Sequence, residues 1–527
     1  MNARFESGLL KREQKDYRGA LLDFTAALEL NPGSAIIYEQ RGRVKERLRD
    51  FRGALSDYEK AIQAEPGIAA HYINRGRIKE RMKDYEGALK DSEKAIALSP
   101  TYATAYLNRG RIKNHYNDYK AALADFNKSL SLNPSSHKAY IEIGVIKEQQ
   151  KDYHGAIEEY EKALQIDPDN ANAYMQRGVA WDYLNDWHRA IQDFDKAIQI
   201  APDFGKAYCE RGHTKSKLKD YMGALKDLNI SIQLDPDNGQ TYENMGFCKE
   251  RLRDYHGALQ DFTKAIELDP ELASVFSNRG IARHRLRDYQ GAIADFNQAI
   301  ALKPELATNY SNRGYTKNKL KDYNGALKDF NKSIALNPRL ATAYSRRAQT
   351  KNNAGDYTGA LDDCRKAFEL KPEIKEIYEF SGYANYKLGN YKEAIDALDK
   401  ALEVNTSVAD IWINRANAKL ELKDYQGALS DYNKATELYP TRTMSYYQKG
   451  IIKEKLKDYP GAAEEFTIAI DMWKTIKNAA IFCSKAYYQR GLVKIALQDK
   501  QSAFNDFTQA KQLGLYKAEV ALKEYYS

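Results

Sequence analysis

Residues 35–68 read AIIYEQRGRVKERLRDFRGALSDYEKAIQAEPGI, and variations on that stretch fill the rest of the chain. Its closing proline, Pro66, belongs to a series that runs from Pro32 to Pro372 at intervals of 34 residues without a slip. Pro440 rejoins the same phase after one absence, at Thr406. A single globular core has no reason to punctuate itself in this way, whereas a chain built from one repeated structural unit does. The period divides the residues into two classes. Those that recur every 34 residues are scaffold, and those that depart from the period are where an individual function lies.

Within the quoted stretch, Tyr38, Arg41, Gly42, Val44, Lys45 and Leu48 fall on one side of a first helix, and Leu55, Tyr58, Ala61 and Ile62 on one side of a second. Their spacings of three and four are the helical period. Asp50 stands between the two helices, and an Asp or Asn recurs there in all fifteen units. It suits an N-cap, where its side chain accepts backbone N–H groups that have no partner within the helix. Arg49, Lys83 and Lys151 put positive charge at the end of the first helix, as the helix dipole prefers. Pro66 ends the second helix because it lacks the N–H to continue it. Glycine fills the Gly8 column in 13 of 15 units, and an alanine recurs at Ala20, Ala54 and Ala88. The pairing predicts two small residues facing each other at a close helix approach, which would explain a mid-helix glycine despite its cost of about 1 kcal/mol. Two aromatic columns, Tyr38-Tyr72-Tyr106 and Tyr17-Phe51-Tyr85, hold 24 of the 39 tyrosines, so the tyrosine content is mostly packing. An acidic column beginning Asp23, Asp57, Asp91, Asp125 is placed to answer the Arg41 and Lys45 columns across the helix pair.

The pattern Tyr38-x2-Arg41-Gly42-x2-Lys45 followed by Ala54-x3-Tyr58-x2-Ala61-x4-Pro66 resembles the tetratricopeptide repeat (TPR). The resemblance covers essentially the whole chain. It departs systematically in carrying a basic residue where the family often has Leu (the Arg41 column) and Tyr (the Lys45 column). It implies an all-α, right-handed superhelical solenoid of about fifteen helix-turn-helix repeats whose first helices line a concave groove. It also implies a non-enzymatic scaffold or adaptor that binds peptide or protein partners there. The alternative kept open is an RNA-binding helical superhelix.

Residues 1–483 are expected to form a continuous array of fourteen repeats, and 484–527 the fifteenth repeat with a C-terminal capping helix from about Leu515. Gly491 follows Gly450 by 41 residues instead of 34, so seven extra residues fall around Trp473 to Cys483, and two added helical turns would absorb them. In the first unit, Arg4 and Ser7 replace the aromatic and basic residues, as a solvent-facing terminal repeat would.

Composition narrows the function further. Hydrophobic residues make up 43% and charged residues 29%, and the net charge of +8 on 527 residues is too mild to announce nucleic acid. The N-terminal residues lack the apolar run of a signal peptide. No stretch approaches a membrane span, and Cys209, Cys248, Cys364 and Cys483 show no paired spacing, so a cytoplasmic protein is expected. No metalloprotease, zinc-finger, phosphate-loop or nucleophile-elbow motif is present, and the eight histidines do not converge. His154, His188 and His256 share one column and read as a repeated surface slot. No catalytic residue, metal or cofactor is therefore expected.

The groove face is more informative. At ~100° per residue, Asn74, Arg77 and Arg81 lie opposite Tyr72, Gly76 and Lys79. The Asn74 column continues at Asn108, Asn244, Asn278, Asn312 and Asn414. An asparagine offers the donor and acceptor an extended peptide backbone needs, so these residues are expected to stand exposed in the groove, or else to be a plain polar surface choice. Arg43, Arg77 and Arg111 stack in consecutive units, while Phe247, Tyr315 and Tyr383 take the same column further along. That arrangement favours a partner with acidic and apolar segments. Residues 1–136 hold 24 basic against 18 acidic residues, 137–272 hold 17 against 25, and 273–340 hold 12 against 5. An acidic partner is thus expected at the flanking blocks and away from the middle. The family's carboxylate clamp for Hsp90-type acidic C-termini is not expected: Asn312 and Arg346 fit it, but Ser277, Ile281 and Thr342 do not.

Overall fold

The structure, a computed structural model, describes residues 2–476 and 479–526. Thirty-one helices and no strand occur among the described residues: fifteen consecutive pairs and a last helix, Tyr516–Tyr526. The chain divides into two bodies, Met1–Leu268 and Asp269–Ser527. In both, a pair consists of a first helix of about the length of Ala35–Arg47 and a second of about the length of Phe51–Ala64.

The turn inside each pair is a single device made of three residues. Arg49 adopts the left-handed conformation (φ 62°), and the equivalent residue does so in every pair, with Gly355 and Gly389 in two of them. The Asp50 N–H then reaches back to the Lys45 carbonyl at 2.9 Å and the Arg49 N–H to the Glu46 carbonyl at 3.1 Å, which closes the first helix. Asp50 at once opens the second, its carboxylate accepting from the Gly53 N–H at 2.9 Å. A left-handed Lys or Arg costs about 1–2 kcal/mol, so the basic residue that sequence reading assigned to the helix dipole sits on a strained backbone held by this turn. Glycine at the Gly53 position leaves room for the cap: a Cβ there would lie 2.1 Å from an Asp50 oxygen. Where alanine or arginine replaces it, the cap bond lengthens to 3.1 Å at Ala121 and 3.2 Å at Arg189. Asn390, with Glu393 in the glycine's place, makes no side-chain cap bond.

The mid-helix glycines face something other than expected. A Cβ on Gly42 would stand 2.9 Å from the Tyr58 ring, and one on Gly110 2.5 Å from the Phe126 ring. In most repeats the small residue therefore makes room first for a buried aromatic of the second helix, and the expected approach to the alanine column is kept in the others. There a Cβ would lie 3.1 Å from the Ala326 carbonyl at Gly314, 3.2 Å from that of Ala224 at Gly212, and 3.4 Å from that of Ala88 at Gly76, where Ser92 replaces the ring. Ala348 stands opposite the one repeat whose ring is replaced by buried Cys364, so the volume lost on one helix returns on the other.

Charge locks the pair together. Arg41 donates through Nε and Nη2 to both Asp57 oxygens (2.9 and 2.7 Å), and Lys45 Nζ reaches the same carboxylate at 2.8 Å. The fork recurs at Arg75–Asp91, Arg109–Asp125, Arg313–Asp329 and Arg415–Asp431. The guanidinium also lies against the aromatic three residues earlier, as Arg41 does on Tyr38 at 5.6 Å. Its remaining nitrogen crosses to the preceding repeat: Arg211 Nη1 reaches Asp195, Arg313 Nη1 reaches Asn297 and Arg347 Nη1 reaches Asn331. The expected ladder is thus also the link between repeats. In the first repeat, where Ser7 replaces the arginine, Arg4 swings in to pair with Asp23 at 3.1 Å and Ser7 donates to the same carboxylate. Arg4 therefore substitutes for the missing rung while keeping much of its side chain in water.

The insertion lengthens two helices, Tyr459–Lys474 and Ala480–Ala496, and Lys477 and Asn478 within it lie outside the described residues. Trp473 buries itself against Tyr447, Cys483 and Tyr487 and stacks on Phe482 at 5.4 Å. The Tyr516–Tyr526 helix covers the last pair through Ala518 and Ala521.

The ladder sets two expectations. Arg109→Ala leaves buried Asp125 with Lys113 alone, and should cost roughly 1–3 kcal/mol, the worth of a hydrogen bond to a charged group, read from urea unfolding. In the eighth repeat Met245 replaces the arginine, and burial, opposed only by Lys249, holds the Asp261 carboxyl above its ordinary range. Stability there falls as pH rises from the unfolded pKa towards the raised folded one. Met245→Arg should bring the folded pKa below the unfolded value, as at Asp125. The variant should then gain stability over the parent above about pH 4, with the gain lost as pH falls, measured by melting across pH 3–7.

Candidate functional site

The first helices of repeats one to six in the Met1–Leu268 body wall a recess of about 970 Å³. It holds the side chains the period does not explain. Eight of its lining residues are basic (Arg12, Arg43, Arg47, Arg49, Arg77, Arg81, Arg111 and Lys138) and two are acidic, Glu46 and Glu142. Ile73, Leu107, Ile141, Tyr17 and Tyr102 supply apolar wall between the charges.

Arg43, Arg77 and Arg111 do converge here, but none is a bare charge. Arg43 pairs with Glu39 of its own helix at 2.6 Å. Arg77 Nη2 reaches back one repeat to Glu46 at 2.7 Å, with Arg81 Nε 3.6 Å from the same carboxylate. Arg111 lies between Glu80 at 3.4 Å and Glu142 at 3.0 Å. Burial opposes the charge on Arg77, yet the Glu46 bond holds its pKa above the usual value. At Glu142 burial dominates; it lifts the carboxyl above its normal range against the pull of Arg111. The recess is therefore a network in which arginines are aimed and partly neutralised by glutamates of neighbouring repeats. Arg47, Arg49 and Lys138 stand exposed around it.

The glutamates were missed by sequence reading. The signal was present, because Glu46 and Glu80 stand one repeat apart in a column beside the arginines. A contact spanning 31 residues, however, is visible only once successive first helices are packed side by side.

The asparagine column divides. Asn74, Asn108 and Asn244 are buried rather than exposed, at 5%, 7% and 7%. They pack between adjoining first helices, where Asn74 Nδ2 donates to Glu39 Oε1 at 3.3 Å and Asn244 approaches Cys209 Sγ at 3.7 Å. Glu39 also takes a 3.2 Å contact from buried His71, and that bond together with Arg43 holds its carboxyl below the usual range. Asn74 is thus part of the recess wall and faces another side chain. Asn278, Asn312 and Asn414, in the other body, remain half-exposed, and Asn312 accepts from Arg346 at 2.8 Å. His154, His188 and His256 all stand exposed on second helices, as a surface slot should.

Models of the tetratricopeptide repeat match residues 5–67, 39–103, 249–307 and 381–443, with further matches at 103–136, 307–340 and 171–204 and a TPR repeat match at 149–181. The chain belongs to the tetratricopeptide repeat family. No curated protein matches this TPR chain. Among solved structures it is similar to the APC/C hetero-tetramer Cut9-Hcn1, at 16% identity and a TM-score of 0.47 over 87% of this chain and 96% of that one. It is also similar to a tetratricopeptide repeat protein from Parabacteroides merdae, at 21% identity and a TM-score of 0.38 over 48% and 97%. A third likeness is the P58(IPK) TPR domain, at 17% identity and a TM-score of 0.34 over 74% and 98%. TPR repeats are typical of protein–protein interaction modules. No helix among the described residues is long and apolar enough to cross a membrane.

The buried asparagines give a direct test. Asn74→Ala removes a donor from the Glu39–His71–Arg43 cluster and should lower stability by about 1 kcal/mol, whereas Asn278→Ala should shift melting little. Calorimetric melting of the two variants against the parent decides whether the column has one role or two.

Proposed function

We propose that this TPR chain is a non-enzymatic scaffold or adaptor whose Met1–Leu268 body holds an acidic segment of a protein partner in the recess around Arg43, Arg77 and Arg111. The observation that carries the reading is the lining itself, with eight basic residues against two acidic ones and apolar wall between them. The glutamates fix each guanidinium in place before the partner arrives, so little side-chain freedom is lost on binding. An incoming carboxylate competes with Glu46 or Glu142 for arginines that already point at the groove. The apolar stretches at Ile73, Leu107 and Ile141 favour a protein segment over a bare polyanion, because nucleic-acid contacts draw mainly on phosphate neutralisation. Asn278, Asn312 and Asn414 remain candidate peptide contacts in the other body.

The test uses a fluorescent peptide with a glutamate run interrupted by leucines, and a single-stranded RNA of equal charge. The peptide should bind the full chain more tightly than the RNA, and Arg43→Ala/Arg77→Ala/Arg111→Ala should weaken it about tenfold or more, as loss of charge-assisted bonds implies. Affinity should fall as salt rises from about 50 to 200 mM, since the screening length contracts to ~8 Å or less. Tighter RNA binding, lost in the same variant, would move the assignment to the RNA-binding alternative. Equal peptide affinity in parent and triple variant would remove the recess from the binding surface.

A further inference from the structure

The Asp269–Ser527 body carries a second basic cluster that differs in kind from the recess. It lies on three consecutive first helices, Ala273–Arg285, Ala307–Lys319 and Ala341–Ala354. Tyr315 is its centre. The Arg346 guanidinium stands 4.9 Å from the centroid of that ring and the Lys319 ammonium 5.2 Å from it. His284 packs on the same ring at 4.9 Å. Arg346 is half-buried, and its Nη1 donates to Asn312 Oδ1 at 2.8 Å and Ser311 Oγ at 3.2 Å. Those contacts aim the guanidinium without neutralising it.

The contrast with the recess is the decisive observation. There Arg43, Arg77, Arg81 and Arg111 each have a glutamate, supplied by the positions of Glu39, Glu46, Glu80 and Glu142. In these three repeats the same positions hold Ser277, Ser311 and Ser345, Asn278 and Asn312, and His284, Asn318 and Asn352. Among the described residues no carboxylate pairs with Arg285, Lys319 or Arg346, although nearly every scaffold arginine of these repeats has one. The uncompensated charge shows in its neighbours. Burial, with Arg285, Lys319 and Arg346 adding to it, pushes the His284 imidazole down to about 4. Burial and Arg285 likewise hold Arg346 below its ordinary value, against the opposing influence of Tyr315.

We infer that Arg346, Lys319 and Arg285, with Tyr315 between them, form a binding site for a phosphate monoester carried on a side chain of a protein partner. Three cations without a counter-charge call for more than a single carboxylate. A phosphate monoester brings a charge of about −1.5 to −2 and three strong acceptor oxygens. Arg346 keeps Nε and Nη2 for a forked contact, the geometry in which guanidinium and phosphate fit best. Lys319 supplies a mobile point charge above the ring, and Arg285 a third at the exposed edge. Thr316 gives its own proton to the Asn312 carbonyl at 2.9 Å, so His284 donates to Thr316 through Nδ1 and Nε2 is the nitrogen left to take up a proton when an anion arrives. The inference rests on the protein-binding reading only for the source of the phosphate; the site lies outside the recess.

The experiment is calorimetric titration of the full chain with a pentapeptide, Ac-Ala-Ala-Xaa-Ala-Ala-amide, in which Xaa is phosphoserine, serine or glutamate. The phosphoserine peptide should bind, and the serine and glutamate forms should bind about tenfold or more weakly. Arg346→Asn places at this position the residue six other repeats carry there, so the fold should be kept. It should weaken the phosphopeptide about tenfold while leaving melting and the recess's glutamate–leucine peptide unchanged. Lys328→Ala, an exposed charge on a second helix, controls for net charge and should change nothing. In the parent, the His284 ring proton resonances should shift on adding phosphopeptide and not on adding the serine form. Equal binding of the glutamate and phosphoserine peptides would overturn phosphate specificity. Unchanged phosphopeptide affinity in Arg346→Asn, or no phosphopeptide binding by the parent at millimolar concentration, would overturn the site. Either of these results would leave the recess reading intact, because that reading is tested with a different peptide and different arginines.

Discussion

The scaffold hangs on a guanidinium that recurs in ten of the fifteen repeats. Arg41 and its equivalents bind a buried carboxylate of their own pair in a two-pronged fork, rest on the aromatic ring of the preceding turn, and reach with the last nitrogen to the repeat before. A lysine completes the neutralisation of the acid. A buried carboxylate left with only one partner is costly: at Asp261, where Met245 replaces the arginine and Lys249 alone pairs with the acid, the carboxyl is held above its ordinary range. The twelfth repeat drops the whole set, with Ser381, Asn385 and Ala397 in place of arginine, lysine and acid. A unit that cannot bury its face alone gains from such a device, because the same side chain that closes the pair also sets the spacing to its neighbour.

With the scaffold bonded internally, groove positions are released to vary. The two bodies use that freedom differently. In the Met1–Leu268 body, arginines are added together with glutamates, which yields a surface that is basic in sum and ordered in detail. In the first three repeats of the Asp269–Ser527 body, the glutamate positions hold serine, asparagine and histidine, and the cations stand uncompensated around Tyr315. Repeats of the same helix-pair design thus present two electrostatic surfaces, one pre-paired and one under mutual repulsion. The second is the kind of arrangement that a multiply charged anion relieves.

The turn within each pair illustrates how local strain is absorbed. Thirteen non-glycine residues occupy the left-handed region at φ 61–65°. Each stands one residue before an Asp or Asn, and wherever that residue is Asp its side chain caps the next helix. The helix-ending bonds and the cap come from adjacent residues, so the backbone has a single solution there. The cap lapses only at Asn390, where glutamate occupies the glycine's place.

By itself the sequence determined the all-α repeat, the pair boundaries, the N-caps and the Arg41–Asp57 ladder. These are local or nearly local: helix spacing, a capping residue and charges sixteen residues apart in one hairpin all recur often enough to be read by superposing the repeats. Tertiary packing alone decided what the period cannot encode. It turned Asn74 and Asn108 inward while leaving Asn278 and Asn312 at the surface, because burial depends on which side chain the adjoining first helix offers, Glu39 in one case and Arg346 in another. It set most of the glycines against rings and a few, such as Gly314, against the alanine backbone, since the nearest atom depends on the depth of helix contact. It also paired Arg77 and Arg111 with glutamates 31 residues away and left Arg346 without one. Charge in a groove is the sum of what several helices bring to one place, and that sum exists only after the helices have packed.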